Sequence, residues 1–238
     1  MTSLHDKFFK LYLNRPGFWY SFKRSVGDIG NLFLLFRYLQ VYEGLNWNKQ
    51  QKEFSDILIK EKLLTPSKNS EDSSANSRGI KKVFELLGLC FVDEQEKLQI
   101  TSVGKKFLQS KSNEELYEIK TSQLLKYQIN NPLIKSKNFE EMQIKPFAFL
   151  LKLLTNLENQ SISATEFKLF LSRAHHINEF ESILELVKNW RNSNEIEKDK
   201  IKNKLTNSKI YEKISGYAGY SMVFFGKSIF TEITEYED

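Results

Sequence analysis

The sequence predicts a mainly α-helical protein with small β-hairpins, which is an α+β fold. Three observations support this prediction. Glycine (10) and proline (4), the two residues that weaken helices most, are scarce among the 238 residues. Apolar side chains recur every three or four residues in several stretches, which is the spacing of one face of a helix. Only a few short stretches alternate apolar and polar residues, as a strand does.

The composition predicts a soluble globular protein of the cytoplasm. Hydrophobic residues make up 40% of the chain and charged residues 27%. No stretch is apolar for the length of a membrane span, and the N-terminus lacks the pattern of a signal peptide. The net charge of +5 favours an anionic partner. The single cysteine, Cys90, excludes an internal disulfide framework and is predicted to be a structural strand residue.

The N-terminal arm, residues 1–28, is predicted to be irregular. Its aromatic residues Trp19 and Tyr20 are interleaved with basic residues, which are Arg15, Lys23 and Arg24. Basic residues interleaved with aromatic ones suit contact with a phosphate backbone. An arm that packs its aromatic rings onto the first helix explains the same pattern equally well.

Two amphipathic helices follow the arm, over residues 30–42 and 48–63. The polar, low-complexity segment 65–77 then forms a loop, and Pro66 closes the helix before it.

The segment from Ser77 to Leu108 predicts a basic helix, a tight hairpin and the start of another helix. Ser77 is the predicted N-cap of the basic helix, and Gly88 is its predicted left-handed end. Apolar and polar residues alternate over 89–93 and over 97–101, on either side of a polar turn, so these segments are predicted to pair. Thr101 or Ser102 is the predicted cap of the following helix.

Helix, helix, loop, basic helix and hairpin is the order of a winged helix, predicted for about residues 30–108. In that arrangement the third helix enters the major groove and the hairpin, or wing, lies beside the DNA backbone. Arg78 lies in the first turn of this helix, where a guanidinium can fork onto guanine, and Lys81 and Lys82 share its basic side. A plain amphipathic helix with solvated lysines fits the same residues, and winged helices also serve as protein–protein modules.

The rest of the chain predicts further helical subdomains. Helices are predicted over 113–128, from Pro146, from the capping box Ser163–Glu166, and over 178–192. Residues 195–209 are a charged run, interpreted as a solvated linker. A helix and another hairpin follow, which again suggests the last half of a winged helix. The predicted organisation is a tandem winged-helix arrangement: an arm and first winged helix at 1–110, a helix-turn-helix-like subdomain at 111–195, and a third winged-helix-like or linker element at 196–238.

No local pattern predicts an active site. Glu118-Ile-Lys120 and Glu166-Phe-Lys168 match the ExK half of a metal-dependent nuclease motif. Both fall in predicted helices, and neither has a Pro-Asp partner upstream. His175 and His176 are adjacent, so they cannot both face one metal ion from a helix, and an inert surface pair is the favoured interpretation. No Gly-rich phosphate loop occurs, and no cofactor is expected in this chain.

Several segments, in a fixed order, resemble a known family. They are LGLCFVDEQEKLQITSVGKKFL, then NNPL, IKPFAFLLKLL, ISATEFKLFL and a helix that ends in KNWRN. This order resembles the N-terminal recognition region of AlwI-like type IIS restriction endonucleases, including their nicking relatives, and is distantly FokI-like. The resemblance is good over about residues 77–192 and only in outline elsewhere.

The resemblance implies sequence-specific binding of double-stranded DNA through winged-helix subdomains. It implies that a separate PD-(D/E)xK nuclease domain or subunit cuts the DNA with Mg²⁺, and no such motif is found in this chain. The residues that it carries over are Ser77, Arg78, Lys81 and Lys82 on the recognition helix, and Lys97 and Gln99 on the wing. The alternative is a winged-helix transcriptional regulator or protein-interaction module without a nuclease partner.

Overall fold

The structure is a computed structural model that describes residue 19 and residues 27–65, 74–134 and 139–206. These residues form nine α-helices, two short 3₁₀ helices and one two-stranded antiparallel sheet, so the mainly helical α+β prediction is confirmed for them. In chain order the elements are α1 (Ile29–Gln40), α2 (Trp47–Lys60), α3 (Ala75–Leu86), β1 (Cys90–Val92), β2 (Leu98–Ile100), α4 (Ser102–Gln109), α5 (Asn113–Lys126), α6 (Pro146–Thr155), α7 (Ala164–Leu169), the 3₁₀ helices Leu171–Arg173 and Ile177–Glu179, α8 (Phe180–Asn192) and α9 (Glu195–Thr206).

The described residues fall into two compact units. One contains residues 27–65 and 74–126, which are α1 to α5 and the hairpin. The other contains Trp19 with residues 127–134 and 139–206, which are α6 to α9. The domain boundary predicted at residue 110 therefore falls inside the first unit, between α4 and α5.

The core of the first unit is built from the apolar helix faces that the sequence predicts. Phe36 on α1 is fully buried, and its ring centroid lies 4.8 Å from that of Phe84 on α3 and 5.9 Å from that of Phe107 on α4. Burial of one such aromatic side chain contributes about 1.5–3 kcal/mol to stability. The remaining predicted face of α1 is also buried, at Leu32, Leu35 and Leu39.

Capping residues set the ends of these helices. Asp28, Asn46 and Thr101 are the N-caps of α1, α2 and α4, and the side chain of each accepts a hydrogen bond from the backbone N–H three residues later. The cap predicted at Thr101 is confirmed. Gly88 follows α3 with a φ of +66°, so its predicted left-handed conformation is also confirmed.

The two segments predicted to pair do form an antiparallel hairpin. Cys90 pairs with Ile100, and Phe91 pairs with Gln99. Cys90 and Ile100 are buried, as is Leu98, whereas Phe91 is 48% exposed. The structural role predicted for Cys90 is therefore confirmed, and burial raises the pKa of its thiol.

In the second unit, two predicted helix starts are confirmed. Pro146 occupies the first turn of α6, where a missing backbone N–H costs nothing. Ser163 and Glu166 form the predicted capping box of α7, each side chain accepting the backbone N–H of the other.

Two predictions for this unit are wrong. Residues 195–206 form a helix, α9, rather than a solvated linker, because Ile201 is buried and the Lys198 ammonium lies 5.9 Å from the Trp190 ring centroid. Trp19, the described residue of the arm, packs against Phe149 of α6 and Phe167 of α7, not against the first helix. The predicted hairpin near the C-terminus lies outside the described residues.

Candidate nucleic-acid interface

Helix α3 presents the basic surface on which the DNA-binding prediction depends. Ile80, Val83 and Phe84 are buried on one side, and Arg78 is exposed on the other, where Lys82 is partly exposed. The helix begins at Ala75 and its N-cap is Ser74, so the cap predicted at Ser77 is wrong. The Ser74 hydroxyl accepts a hydrogen bond from Arg78 Nη1 at 2.6 Å, which holds the guanidinium along the first turn of the helix.

Ser77 lies inside the protein. Its side chain is fully buried, and its hydroxyl lies 2.9 Å from the carbonyl oxygen of Gln51 and 2.7 Å from that of Ser74. The Ser77 hydroxyl therefore joins α3 to α2. Its position offers no support for the DNA contact that the resemblance implies.

Lys81 is also engaged within the protein. Its ammonium lies 2.7 Å from a carboxylate oxygen of Glu85 and 5.6 Å from the ring centroid of Trp47, and the side chain is only 14% exposed. A lysine in such a pair has its charge balanced by the partner one turn along the helix. Arg78 and Lys82 are therefore the predicted helix contacts that remain at the surface.

The hairpin turn between β1 and β2 is fixed by Asp93. This carboxylate accepts hydrogen bonds from the backbone N–H groups of Gln95 and Lys97, each at 2.9 Å, and from Gln99 Nε2 at 2.7 Å. These bonds stabilise the charged form, chiefly through Lys97 and then Gln99, and hold the pKa of Asp93 below its ordinary value. Gln99 is thus partly committed to the turn, whereas Lys97 is exposed.

The same turn is joined to the start of α2 by a contact that no sequence pattern predicts in full. Glu96 accepts hydrogen bonds from the side-chain amides of Asn46 and Asn48, at 3.1 and 2.9 Å. The sequence does indicate part of this contact: asparagine is a preferred N-cap residue, and Asn46 stands directly before α2 and accepts the backbone N–H of Lys49. Nothing local shows that Asn46 and Glu96, 50 positions apart, would meet.

Neither ExK sequence forms a site that could hold a metal ion. Lys120 is buried at 1% exposure and donates a hydrogen bond to the carbonyl oxygen of Gly27 at 2.8 Å. Glu166 is buried, and both of its carboxylate oxygens accept hydrogen bonds from Arg191. Among residues 27–65, 74–134, 139–206 and Trp19, no group of three or more His, Cys, Asp or Glu side chains is placed to hold a metal ion.

The histidine pair is not a surface pair. His175 is 5% exposed, and its backbone N–H donates to a carboxylate oxygen of Glu179 at 3.1 Å, whereas His176 is partly exposed. The interpretation of both as surface residues is therefore wrong for His175, because the chain between two short 3₁₀ helices turns it inward. The predicted arm contacts Arg15, Lys23 and Arg24 lie outside the described residues.

The described fold and surface define a mainly helical α+β protein that carries a basic helix beside a hairpin. The family model of the AlwI restriction endonuclease matches residues 85–238, which is more than half of the chain. The chain belongs to the AlwI restriction endonuclease family. This membership confirms the resemblance to AlwI-like restriction endonucleases and implies that the protein binds DNA.

The extent of the family match differs from that of the resemblance. It continues to residue 238, where the sequence resembled the family only in outline, and it begins at residue 85, after Arg78 and Lys82. No curated protein matches the chain. Within the described ranges, no helix has the length and apolar character needed to cross a lipid bilayer.

Proposed function

We propose that this chain is the sequence-specific DNA-recognition module of a type IIS restriction endonuclease. The proposal joins membership of the restriction endonuclease family to the arrangement of the first unit. In it, the chain binds double-stranded DNA in the cytoplasm, and a nuclease domain or subunit outside this chain cuts the DNA with Mg²⁺.

The observation that carries the proposal is a third chain segment that is hydrogen-bonded beside the hairpin. Residues 44–46 lie between α1 and α2, and together with Trp47, the first residue of α2, they run beside the wing turn and the start of β2. Asn46 and Lys97 form an isolated antiparallel bridge. Three backbone hydrogen bonds join the two segments: Gly44 N–H to the Leu98 oxygen at 2.7 Å, Leu98 N–H to the Leu45 oxygen at 3.0 Å, and Trp47 N–H to the Glu96 oxygen at 2.8 Å.

This segment supports the proposed winged helix, because it would fill one position in the element order of that fold. The order along the chain is α1, the segment 44–46, α2, α3, β1, the wing turn and β2. β2 pairs with β1, and Lys97, just before β2, forms the bridge to Asn46. In DNA-binding proteins of this kind the third helix enters the major groove and the wing lies along the backbone. The tandem arrangement stays a prediction, because the hairpin predicted near the C-terminus lies outside the described residues.

In the proposed complex, Arg78 reads a guanine from the first turn of α3. Its guanidinium can present two parallel N–H groups to O6 and N7, which a lysine cannot do. Lys82 on the same helix and Lys97 on the wing contact phosphates, and Gln99 supports the wing. We leave Ser77 and Lys81 out of this contact set, because one is buried and the other is paired with Glu85. Arg15, Lys23 and Arg24 complete the proposed phosphate contacts from the arm.

Selection of bound duplexes from a randomised library at low ionic strength tests this function. We expect one short asymmetric site to be enriched and to be bound at least about 10³-fold more tightly than a shuffled duplex. Recovery of no preferred sequence would contradict the proposal and would favour the protein-interaction module.

A DNA-cleavage assay tests whether this chain only recognises DNA and leaves cutting to another domain or subunit. The chain alone, incubated with Mg²⁺ and the selected site, is expected to leave both strands intact. Mg²⁺-dependent cutting at a fixed position would show instead that a nuclease site lies within these 238 residues.

A further inference from the structure

Glu96, in the wing turn, has a backbone conformation that few L-residues adopt. Its φ is +61°, in the left-handed region that usually favours glycine or asparagine. A residue persists there when the surrounding structure fixes it, and such residues cluster at functional sites. The contacts of Glu96 show what fixes it.

Glu96 is hydrogen-bonded through all four of its polar atoms. Its N–H donates to the Asp93 oxygen at 3.0 Å, and its carbonyl oxygen accepts from Trp47 N–H at 2.8 Å. Its carboxylate accepts from Asn48 Nδ2 at 2.9 Å and from Asn46 Nδ2 at 3.1 Å. The first of these bonds closes the turn, and the other three join the turn to the start of α2.

Asn46 uses both ends of its side-chain amide in this contact. Its Oδ1 accepts from the backbone N–H of Lys49 at 3.1 Å, which caps α2, and its Nδ2 donates to Glu96. The same side chain therefore fixes the first turn of α2 and the wing turn. We call Asn46, Asn48 and Glu96 the wing clamp.

The wing clamp lies directly beside Lys97, the proposed wing contact. Lys97 follows Glu96 in the chain, forms the bridge to Asn46, and donates its backbone N–H to Asp93 Oδ1 at 2.9 Å. The turn carries three carboxylates, those of Asp93, Glu94 and Glu96, beside this one lysine. Carboxylates repel phosphate, so a wing that contacts the DNA backbone needs these groups held in fixed directions. Hydrogen bonds hold two of them, Asp93 and Glu96.

We propose that Glu96 is a positioning residue, which acts through the wing clamp to fix the wing and Lys97 for binding to DNA. The proposal rests on the DNA-binding function proposed above. It assigns sequence discrimination in part to three residues that touch no base, because a fixed wing sets the register in which α3 meets the groove.

The test exchanges the donor and the acceptor of the hydrogen bond between Asn48 and Glu96. Asn48→Asp places a carboxylate against that of Glu96, and it also adds an acid to the first turn of α2, where the helix dipole favours one. Glu96→Gln in the same chain restores a donor and acceptor pair and returns the net charge to that of the unmodified protein. Gln50→Glu is the matched control, because it adds the same charge to α2 at a position outside the wing clamp.

Binding is measured on the duplex recovered by selection and on a shuffled duplex of the same composition. We expect Asn48→Asp to lower the ratio of affinity for the selected duplex to affinity for the shuffled duplex about tenfold. The double variant should return this ratio to within about threefold of the unmodified protein's value. Gln50→Glu should weaken binding to both duplexes equally. Equal loss on both duplexes for Asn48→Asp, without recovery in the double variant, would show that Glu96 acts only as a charge and would overturn the proposal.

Amide hydrogen exchange in the protein without DNA separates the wing clamp from the proposed function. Exchange at Lys97 and Leu98 should quicken about tenfold in Asn48→Asp and recover in the double variant, while the denaturation midpoint stays unchanged. Unchanged exchange would overturn the wing clamp even if DNA binds. If exchange changes as expected but the unmodified chain binds no duplex, the DNA-binding function fails, and with it the positioning role, while the wing clamp stands as a structural contact.

Discussion

The Arg191 guanidinium donates two hydrogen bonds to the Glu166 carboxylate, from Nε at 2.7 Å and from Nη2 at 3.0 Å. The bond to Glu166 raises the pKa of Arg191, and Arg191 Nη2 also donates to the carbonyl oxygen of Ser161 at 2.7 Å. Because Glu166 also closes the capping box of α7, one buried carboxylate joins α7, α8 and the loop before α7.

Glu166→Gln is expected to lower the free energy of unfolding by roughly 1.5–3 kcal/mol, because a charge-assisted pair and half of a capping box are weakened. Urea denaturation followed by circular dichroism measures the change. Glu158→Gln is the control: this carboxylate is exposed, and it also raises the pKa of Arg191 but less than Glu166 does, so its loss should cost less than about 0.5 kcal/mol. Equal effects of the two variants would show that the hydrogen bonds contribute nothing beyond charge.

Arg78→Ala is expected to weaken binding to the selected site by about 1–3 kcal/mol and to relax discrimination at one base pair. Fluorescence anisotropy on the selected duplex and on its single-pair variants measures both effects. Arg78→Lys keeps the positive charge but lacks the two parallel N–H groups of the guanidinium. It should therefore recover the affinity for random DNA but not the discrimination at that base pair. An equal loss on selected and random duplexes would mean that Arg78 contacts phosphate only.

Lys82 and Lys81 are adjacent on α3 and should behave differently. Lys82→Ala is expected to reduce the slope of log affinity against log salt by about 1, because one phosphate contact is lost. Lys81→Ala should leave that slope unchanged and lower stability instead, since Glu85 and Trp47 lose their partner. Binding titrations at several salt concentrations, with a denaturation curve for each variant, measure the two effects. A reduced slope for Lys81→Ala, without lost stability, would place Lys81 in the interface.

The acid response of the hairpin turn follows from Asp93. Its pKa in the folded protein lies below the ordinary value of 3.8, so the unfolded chain takes up the proton first as the pH falls. The stabilisation by this carboxylate is therefore fully present above about pH 4 to 5 and is lost as the pH falls through the lower, folded value. A titration of the Asp93 carboxyl carbon by NMR measures the shift, and Gln99→Ala should move the pKa back toward 3.8. An unchanged pKa in that variant would exclude Gln99 as a cause.

Local pattern was sufficient for most of the secondary structure, because apolar periodicity follows directly from burial. The helix predicted over 30–42 spans Ile29–Gln40, and the hairpin has the predicted pairing. The predicted start of α3 was wrong because several neighbouring residues were equally good N-cap candidates. The loop before α3 contains many serines, and each of them is a possible N-cap, so the sequence alone did not distinguish Ser74 from Ser77.

The candidate site was predicted in part. Arg78 and Lys97 lie at the surface, as their positions in the helix and the turn suggested. Lys81 is paired with Glu85 one turn along the same helix, a spacing that the sequence does contain. Lys81 also lies against Trp47, and the buried Ser77 bonds to Gln51, and both of these partners are more than 20 residues away in the chain. The wing clamp was missed for the same reason. Helical spacing shows which side chains share a face, but not which distant segment covers that face.

The burial of Trp19 constrains how the protein can fold during its synthesis. The Trp19 indole N–H bonds to the Ala174 oxygen, 155 positions later, and its ring is 1% exposed between Phe149 and Phe167. The ribosome must therefore release the chain as far as Ala174 before this early tryptophan can be buried. A chain shortened to begin at residue 27 would lack Trp19 and would expose the apolar side chains that Trp19 covers, including Phe149 and Phe167. We expect that chain to precipitate, whereas a chain that keeps Trp19 should stay in solution.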